Sequence, residues 1–234
     1  MKKFLLQSVL FTCLVLFIST RCVFAQTPTV NQAVTQKQNG RLISLKQRAD
    51  NEIQKRVASL RVALTKLNTL TRLSSAQKSS FSSQMQTEID NLNRLKTKID
   101  ADPDSNALRT DVTSVVTSYR VYALFIPQIQ ILVTAEKILY TIDSVTPLMH
   151  TLEAQAQEKN ETYLQTSLAG ITNKLARDKT QITMVINTII PLTPAGYPAN
   201  KTILQEERTV LRTTYQDLKT IPQNIRSIIQ ALKK

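Results

Sequence analysis

The residues best placed to do chemistry form a short acidic run, Asp100-Ala-Asp102-Pro-Asp104-Ser-Asn106, with Asp111 at the twelfth position counted from Asp100. Carboxylates at this spacing copy the ligand order of a calcium loop, where several hard oxygen donors must converge on one cation. The copy departs from the pattern in two places. The sixth position, where a sharp turn calls for Gly, holds Ser105, and Pro103 restricts the backbone within the run. The same residues also read as a helix start, with Asp102 as N-cap, Pro103 at the first helical position and Asp104 near the positive helix end. Asp100, Asp102, Asp104 and Asp111 are thus either a calcium site or a helix-capping turn.

Other catalytic kits are missing from the sequence. His150 is the single histidine, and a nucleophilic triad would need an activated nucleophile that nothing marks. There is no Gly-rich phosphate loop and no His-Glu metal helix. Glu206 and Glu207 are adjacent, so they fall on different faces of a helix. A carboxylate-bridged metal bundle needs Glu-x-x-His on two helices, which one histidine forbids. The expectation is a protein that is not an enzyme and has no cofactor.

The elements that would position these residues are helical. Apolar residues recur at steps of three and four along Leu42, Leu45, Ala49, Ile53, Val57, Leu60, Leu64 and Leu67, predicting a first helix over Arg41–Arg72. Ser74 and Gln77 form a capping box that opens a second helix, with Phe81, Met85, Ile89, Leu92, Leu95 and Ile99 on its core face. The short connection makes the pair an antiparallel hairpin. A third helix carries Leu108, Val112, Val115, Tyr119, Tyr122 and Ile126 and is ended or kinked by Pro127. Tyr119 and Tyr122 fit its core face, while Arg120 points elsewhere, toward a partner.

A fourth helix, from Ile131 to Leu152, should bend at Pro147. The fifth starts near Thr162. Pro191 to Asn200, with three prolines and Gly196, reads as an ordered loop. The sixth places Leu204, Leu211, Leu218, Ile225 and Leu232 seven apart and is interrupted by Pro222. Helices of roughly 25–30 residues, far above the ordinary mean of about 11–12, with narrow apolar seams predict an all-α fold, an elongated bundle of about six long helices with coiled-coil-like packing.

Residues 1–25 have the three-part build of a secretory signal: Lys2 and Lys3, an uncharged apolar stretch from Phe4 to Ile18, and Val23-Phe24-Ala25 before a cut at Gln26. The alternative is an uncleaved N-terminal anchor, for which an apolar run of about 15 residues is short against the roughly 20 a span needs. No later segment is long and apolar enough to span; the best, Ala123 to Val133, is interrupted by Pro127, Gln128 and Gln130. Both cysteines, Cys13 and Cys22, precede the predicted cut, so the mature chain would have no disulfide. Residues 26–40 are polar with no apolar period and read as a flexible tail, leaving 41–234 as the helical domain.

The chain carries a net charge of +13, or +10 without the signal's Lys2, Lys3 and Arg21. Arg41–Arg72 is +6, Pro191–Lys234 is +4 and Pro127–Glu158 is −3. Some of this is paired at i, i+4 spacing, as in Arg48, Glu52 and Arg56 or Lys46 and Asp50. For an exported protein, basic surfaces point to anionic envelope polymers, lipid head groups or extracellular DNA, or to a protein partner, with no specific nucleic-acid motif. The nominated contact residues are Lys55, Arg61, Lys66, Arg72, Arg212 and Arg226. The rival expectation is a periplasmic holdase-type chaperone with an exposed apolar cradle.

Two resemblances bear on these expectations. Leu73-Ser-Ser-Ala-Gln77 resembles the Leu-Thr-x-x-Gln signature of Spy-type periplasmic chaperones, which are basic, cradle-shaped and carry two copies; here there is one, with Ser for Thr. Arg41-Leu-x-x-Leu-Lys-x-Arg-Ala-Asp50-x-Glu-Ile53, Lys98-Ile-Asp-Ala-Asp102 and Ser118-Tyr-Arg-Val-Tyr-Ala123 resemble uncharacterised exported all-helical proteins of ultrasmall candidate-phyla bacteria. That resemblance implies export and an all-helical fold, and no activity.

Overall fold

The structure, a computed structural model, describes residues 30–103 and 105–233. Residues 1–25, expected to be a signal segment, with both cysteines, and Asp104 lie outside the described residues. The chain divides into two units, Met1–Arg41 and Leu42–Lys234. Among the described residues there are helices α1 (Val30–Thr69), α2 (Ser75–Ala101), α3 (Ser105–Thr117), α4 (Ile126–Glu158), α5 (Thr162–Ile189) and α6 (Ala199–Leu232), and no strand. The fold is an all-α bundle. Five of these helices are long, not six, because α3 has only 13 residues.

The seams close as their periodicity requires. Ala49, Ile53, Leu60 and Leu67 of α1, Phe81, Met85 and Leu92 of α2, and Ile131, Ala135, Ile138 and Ile142 of α4 are all buried. Phe81 and Phe125 stack with ring centroids 6.2 Å apart. The helix α4 packs against α5 and α6, α5 packs against α6, and α2 meets α3. At the start of α2 the Ser74 hydroxyl accepts from the Gln77 amide at 3.1 Å, and the Gln77 side chain accepts from the Ser74 amide at 2.9 Å. This reciprocal box satisfies two otherwise orphaned donors.

Several boundaries differ from the sequence expectation. Residues 30–40, read as a tail, are helical, and 34–40 are all exposed. Gln, Lys and Ala there have adequate helix propensity, and an exposed interior Gly such as Gly40 costs a helix only about 1 kcal/mol. The third helix stops at Thr117 and not at Pro127. Arg120 takes a left-handed conformation (φ 49°), and a π turn over Val121–Phe125 follows. Pro127 instead lies in the first turn of α4. Its missing N–H matters least there, where intrahelical partners are incomplete anyway.

Pro147 and Pro222 do not break their helices: α4 and α6 are continuous through both. The five heptad residues of α6, Leu204 to Leu232, are buried on either side of Pro222, and that burial outweighs one lost backbone bond. The Pro191–Asn200 loop is as expected. A Cβ on Gly196 would come within 2.7 Å of the Asn200 side chain, whose amide donates to the Thr193 carbonyl at 2.7 Å.

One membrane expectation also changes. The helical run Asn106–Glu158 does contain a window long and apolar enough to cross a membrane, but half of that window is buried within the protein. Its apolar side chains Ile129, Ile131, Leu132 and Ala135 are core, which accounts for the composition.

Candidate anion-binding face

The basic residues of α6 are not scattered. Lys201, Arg208, Arg212, Lys219 and Arg226 follow one another at steps of seven, four, seven and seven. At 3.6 residues per turn they fall within about 40° of arc, and the stripe runs roughly 38 Å along the helix. All five are exposed. The acidic residues of α6 lie off this line: Asp217 is held by Lys174 at 2.6 Å, and Glu207 is half-buried, its carboxyl raised by that burial against a hydrogen bond with Thr188.

Beside the stripe, α4 and α6 border an open hollow of about 350 Å³ lined by Gln130, Ile131, Thr134, Arg208, Leu211, Arg212 and Tyr215. No carboxylate lines it. Arg208 donates to the Gln130 side chain at 3.5 Å, which turns one guanidinium toward α4. The Tyr215 ring is 51% exposed, with the Lys219 ammonium 4.7 Å from its centroid. Gln130, Thr134, Lys137 and Thr141 make one exposed row on α4. A second hollow of about 430 Å³ lies along this row toward the α1–α2 turn, lined by Thr69, Thr71, Arg72, Glu136, Lys137, Tyr140 and Thr141.

The nominated contact residues separate into two groups. Lys55, Arg61, Lys66, Arg212 and Arg226 are exposed. Lys55 and Lys66 lie three turns apart on one face of α1, and Arg61 is rotated about a third of a turn away from both; a single flat partner cannot meet all three. Lys55 also pairs loosely with Glu52 at 3.4 Å. Arg72 is not a free contact residue. Its Nε donates to Asp143 at 2.9 Å, its Nη1 lies 3.5 Å from Glu136, and its guanidinium sits over the Tyr140 ring.

Glu136 is the centre of that knot. It accepts from the Thr71 amide and hydroxyl at 2.8 and 2.7 Å and from the Arg72 amide at 3.1 Å. Burial pulls its carboxyl upward, but these donors together outweigh burial and hold it below the usual range. Lys179 and then Arg72 do the same for Asp143. The cluster ties the α1–α2 turn to α4.

Two further sequence expectations are corrected. Arg120, expected to face a partner, stacks on the Tyr197 ring at 4.3 Å, locking the left-handed turn against the loop before α6. Tyr119 is half-buried, but Tyr122, expected in the core, is 48% exposed beneath the Arg56 guanidinium at 5.1 Å. The break at Ser118–Arg120 shifts the helical phase between them. Of the predicted local pairs, Arg56 and Glu52 meet at 2.5 Å. Asp50 instead pairs with Lys96 of α2 at 3.0 Å, and Lys46 donates to the Asp100 carbonyl.

In the acidic run, Asp100 and Asp111 are each held by a lysine of α2, while Asp104 lies outside the described residues. Asp100 is bound by Lys96 at 2.8 Å, and Asp111 by Lys98 at 2.8 Å. Asp102 ends α2 and does not open α3, donating its amide to the Ile99 carbonyl. Among the described residues no group of three His, Cys, Asp or Glu side chains is placed to hold a metal ion. His150 is exposed and lies 3.5 Å from Glu153, which accepts from Thr172.

Sequence reading missed three residues. Arg208 was legible as the heptad neighbour of Lys201 and Tyr215. Glu88 sits next to the seam residue Ile89 and is buried, a phase the periodicity carried. Gln128 is fully buried and donates to the Ile189 and Leu192 carbonyls at 2.8 and 3.0 Å, satisfying the end of α5; nothing local signals that. No protein-family model matches the chain, and neither does any curated protein or solved structure, so the functional reading rests on this geometry.

Proposed function

We propose that this is a non-enzymatic, exported helical protein that binds or organises an anionic component of the cell envelope. The observation that carries the reading is the exposed cationic stripe of α6 beside a hollow without carboxylates. It is reinforced by where the acidic side chains go. Asp50, Glu52, Asp100, Asp111, Glu136, Asp143 and Asp217 are all engaged by cations of the same chain. The positive excess is therefore left on the surface, where it attracts polyanions over a screening length of about 10 Å at 0.1 M salt. The apolar seams that a cradle-type chaperone would leave open are closed, so that reading has no comparable support.

The test is binding of the full chain to anionic and neutral partners: polyphosphate, vesicles with and without phosphatidylglycerol, and a neutral glucan. Binding to the anionic set alone, weakening as salt rises, is the expected result. Equal binding to neutral partners, or affinity unmoved by moderate salt, would overturn the proposal.

A further inference from the structure

We infer that the anionic partner is a linear phosphodiester polymer, laid lengthwise along α6 with its phosphates on Arg208, Arg212 and Lys219. The inference rests on the anion-binding reading above and names its occupant. Three observations favour a chain over a flat bilayer.

The first is dimensionality. The cations of α6 form a line one side chain wide along a single helix, and a row of point charges matches a one-dimensional polyanion. Arg208 and Arg212 stand one turn apart, about 6 Å of helix rise, so neighbouring phosphates of one strand can each meet a guanidinium. Arginine's planar fork suits that contact.

The second is relief. The hollow between α4 and α6 is recessed, with Gln130 and Thr134 as hydrogen-bonding groups on its far wall. A strand can lie in such a recess and use both walls; a bilayer surface would bridge over it. Lys137 continues the cationic edge on the α4 row, and the neighbouring carboxylate, Glu136, is already hydrogen-bonded by Thr71 and paired with the Arg72 guanidinium.

The third is the aromatic content. Tyr215 is the exposed aromatic of the stripe, and its face carries the Lys219 ammonium. That contact holds the Lys219 ammonium in line with Arg212, where a phosphate of the same strand can meet it. Insertion into a membrane interface would instead require several uncovered apolar side chains, and Tyr215 is the one that the stripe presents.

The test titrates the full chain against a labelled oligodeoxythymidylate, a phosphodiester strand without duplex structure, and separately against phosphatidylglycerol vesicles. The oligomer should bind, with log K falling linearly with log salt by about 0.7 for each phosphate neutralised on a single strand. The double variant R208Q/R212Q should lose at least tenfold in affinity and flatten the slope by about 1.4. R109Q/R177Q removes two exposed charges on α3 and α5 and should change affinity less than threefold. Melting curves of both variants confirm that each is folded.

If both double variants weaken binding equally, the contact is diffuse and the α6 site is wrong. If vesicles bind and the oligomer does not, the polymer is overturned while the anion-binding reading stands. If neither binds, both fall.

Discussion

At the scale of single residues, the most consequential side chain outside the charged face is Glu88. It is 8% exposed, and burial raises its carboxyl from 4.5 to about 7 against a hydrogen bond with Asn91. Its field in turn adds to the burial that raises the Tyr119 hydroxyl. Between about pH 4.5 and 7 the folded protein keeps a proton on Glu88 that the unfolded chain releases, so stability declines as pH rises through that window. Glu88→Gln removes the ionisable group while keeping the shape. Urea unfolding should show it stabilised relative to the parent by about 1–3 kcal/mol at pH 8 and little changed at pH 4. A gain of the same size at both values would mean that ionisation is not the cause. Burial of this kind was only half legible: the period placed Glu88 beside Ile89, but it did not show that no cation would reach it.

At the scale of elements, the prolines behave differently from what their local chemistry dictates. Proline removes one backbone donor and crowds the preceding turn, so a break at Pro147 or Pro222 was the local expectation. Both helices continue because their buried faces hold them: Ile221 and Ile225 flank Pro222 in the core, and Pro222 itself is exposed. Pro222→Ala should therefore keep the packing and restore the missing bond to the Leu218 carbonyl. An interior proline costs about 3 kcal/mol against alanine in a free helix, and a gain of about 1–3 kcal/mol in unfolding free energy is expected here. An unchanged denaturation midpoint would show that this carbonyl is already satisfied. The actual break in the middle of the chain sits at Ser118–Arg120, where no proline marks it and a contact from Arg120 to a distant ring, Tyr197, does.

At the scale of the whole molecule, the unit Leu42–Lys234 contains every contact used above. Residues 34–40 of α1 are exposed and none of them belongs to the hydrophobic core, and chain ends outside the core tolerate removal best. A chain beginning at Leu42 should melt at the same temperature as the longer one and keep its affinity for anions. A marked loss of melting temperature would show that the earlier part of α1 is integral to the fold. The division between the two units falls at Arg41 and Leu42, where the leucine period begins with Leu42 and Leu45. The helical state of the residues before it was not legible, since a polar helix has no period to reveal it.

The sequence by itself determined the helical class, the seams, the capping box at Ser74 and the positive excess, because period, composition and short-range hydrogen bonding are properties of neighbours along the chain. It also contained the α6 stripe, since steps of seven and four put Arg208 and Arg212 on one line with Lys201. Only the tertiary structure decided which cations are available. Arg72 and Arg56 are taken up by partners on α4 or in their own helix, Arg120 is spent on Tyr197, and Asp100 and Asp111 are paired with Lys96 and Lys98. Those outcomes depend on groups brought together from distant segments. Charge is written in the sequence, but whether a charge faces a partner or its own chain is settled by what packs beside it.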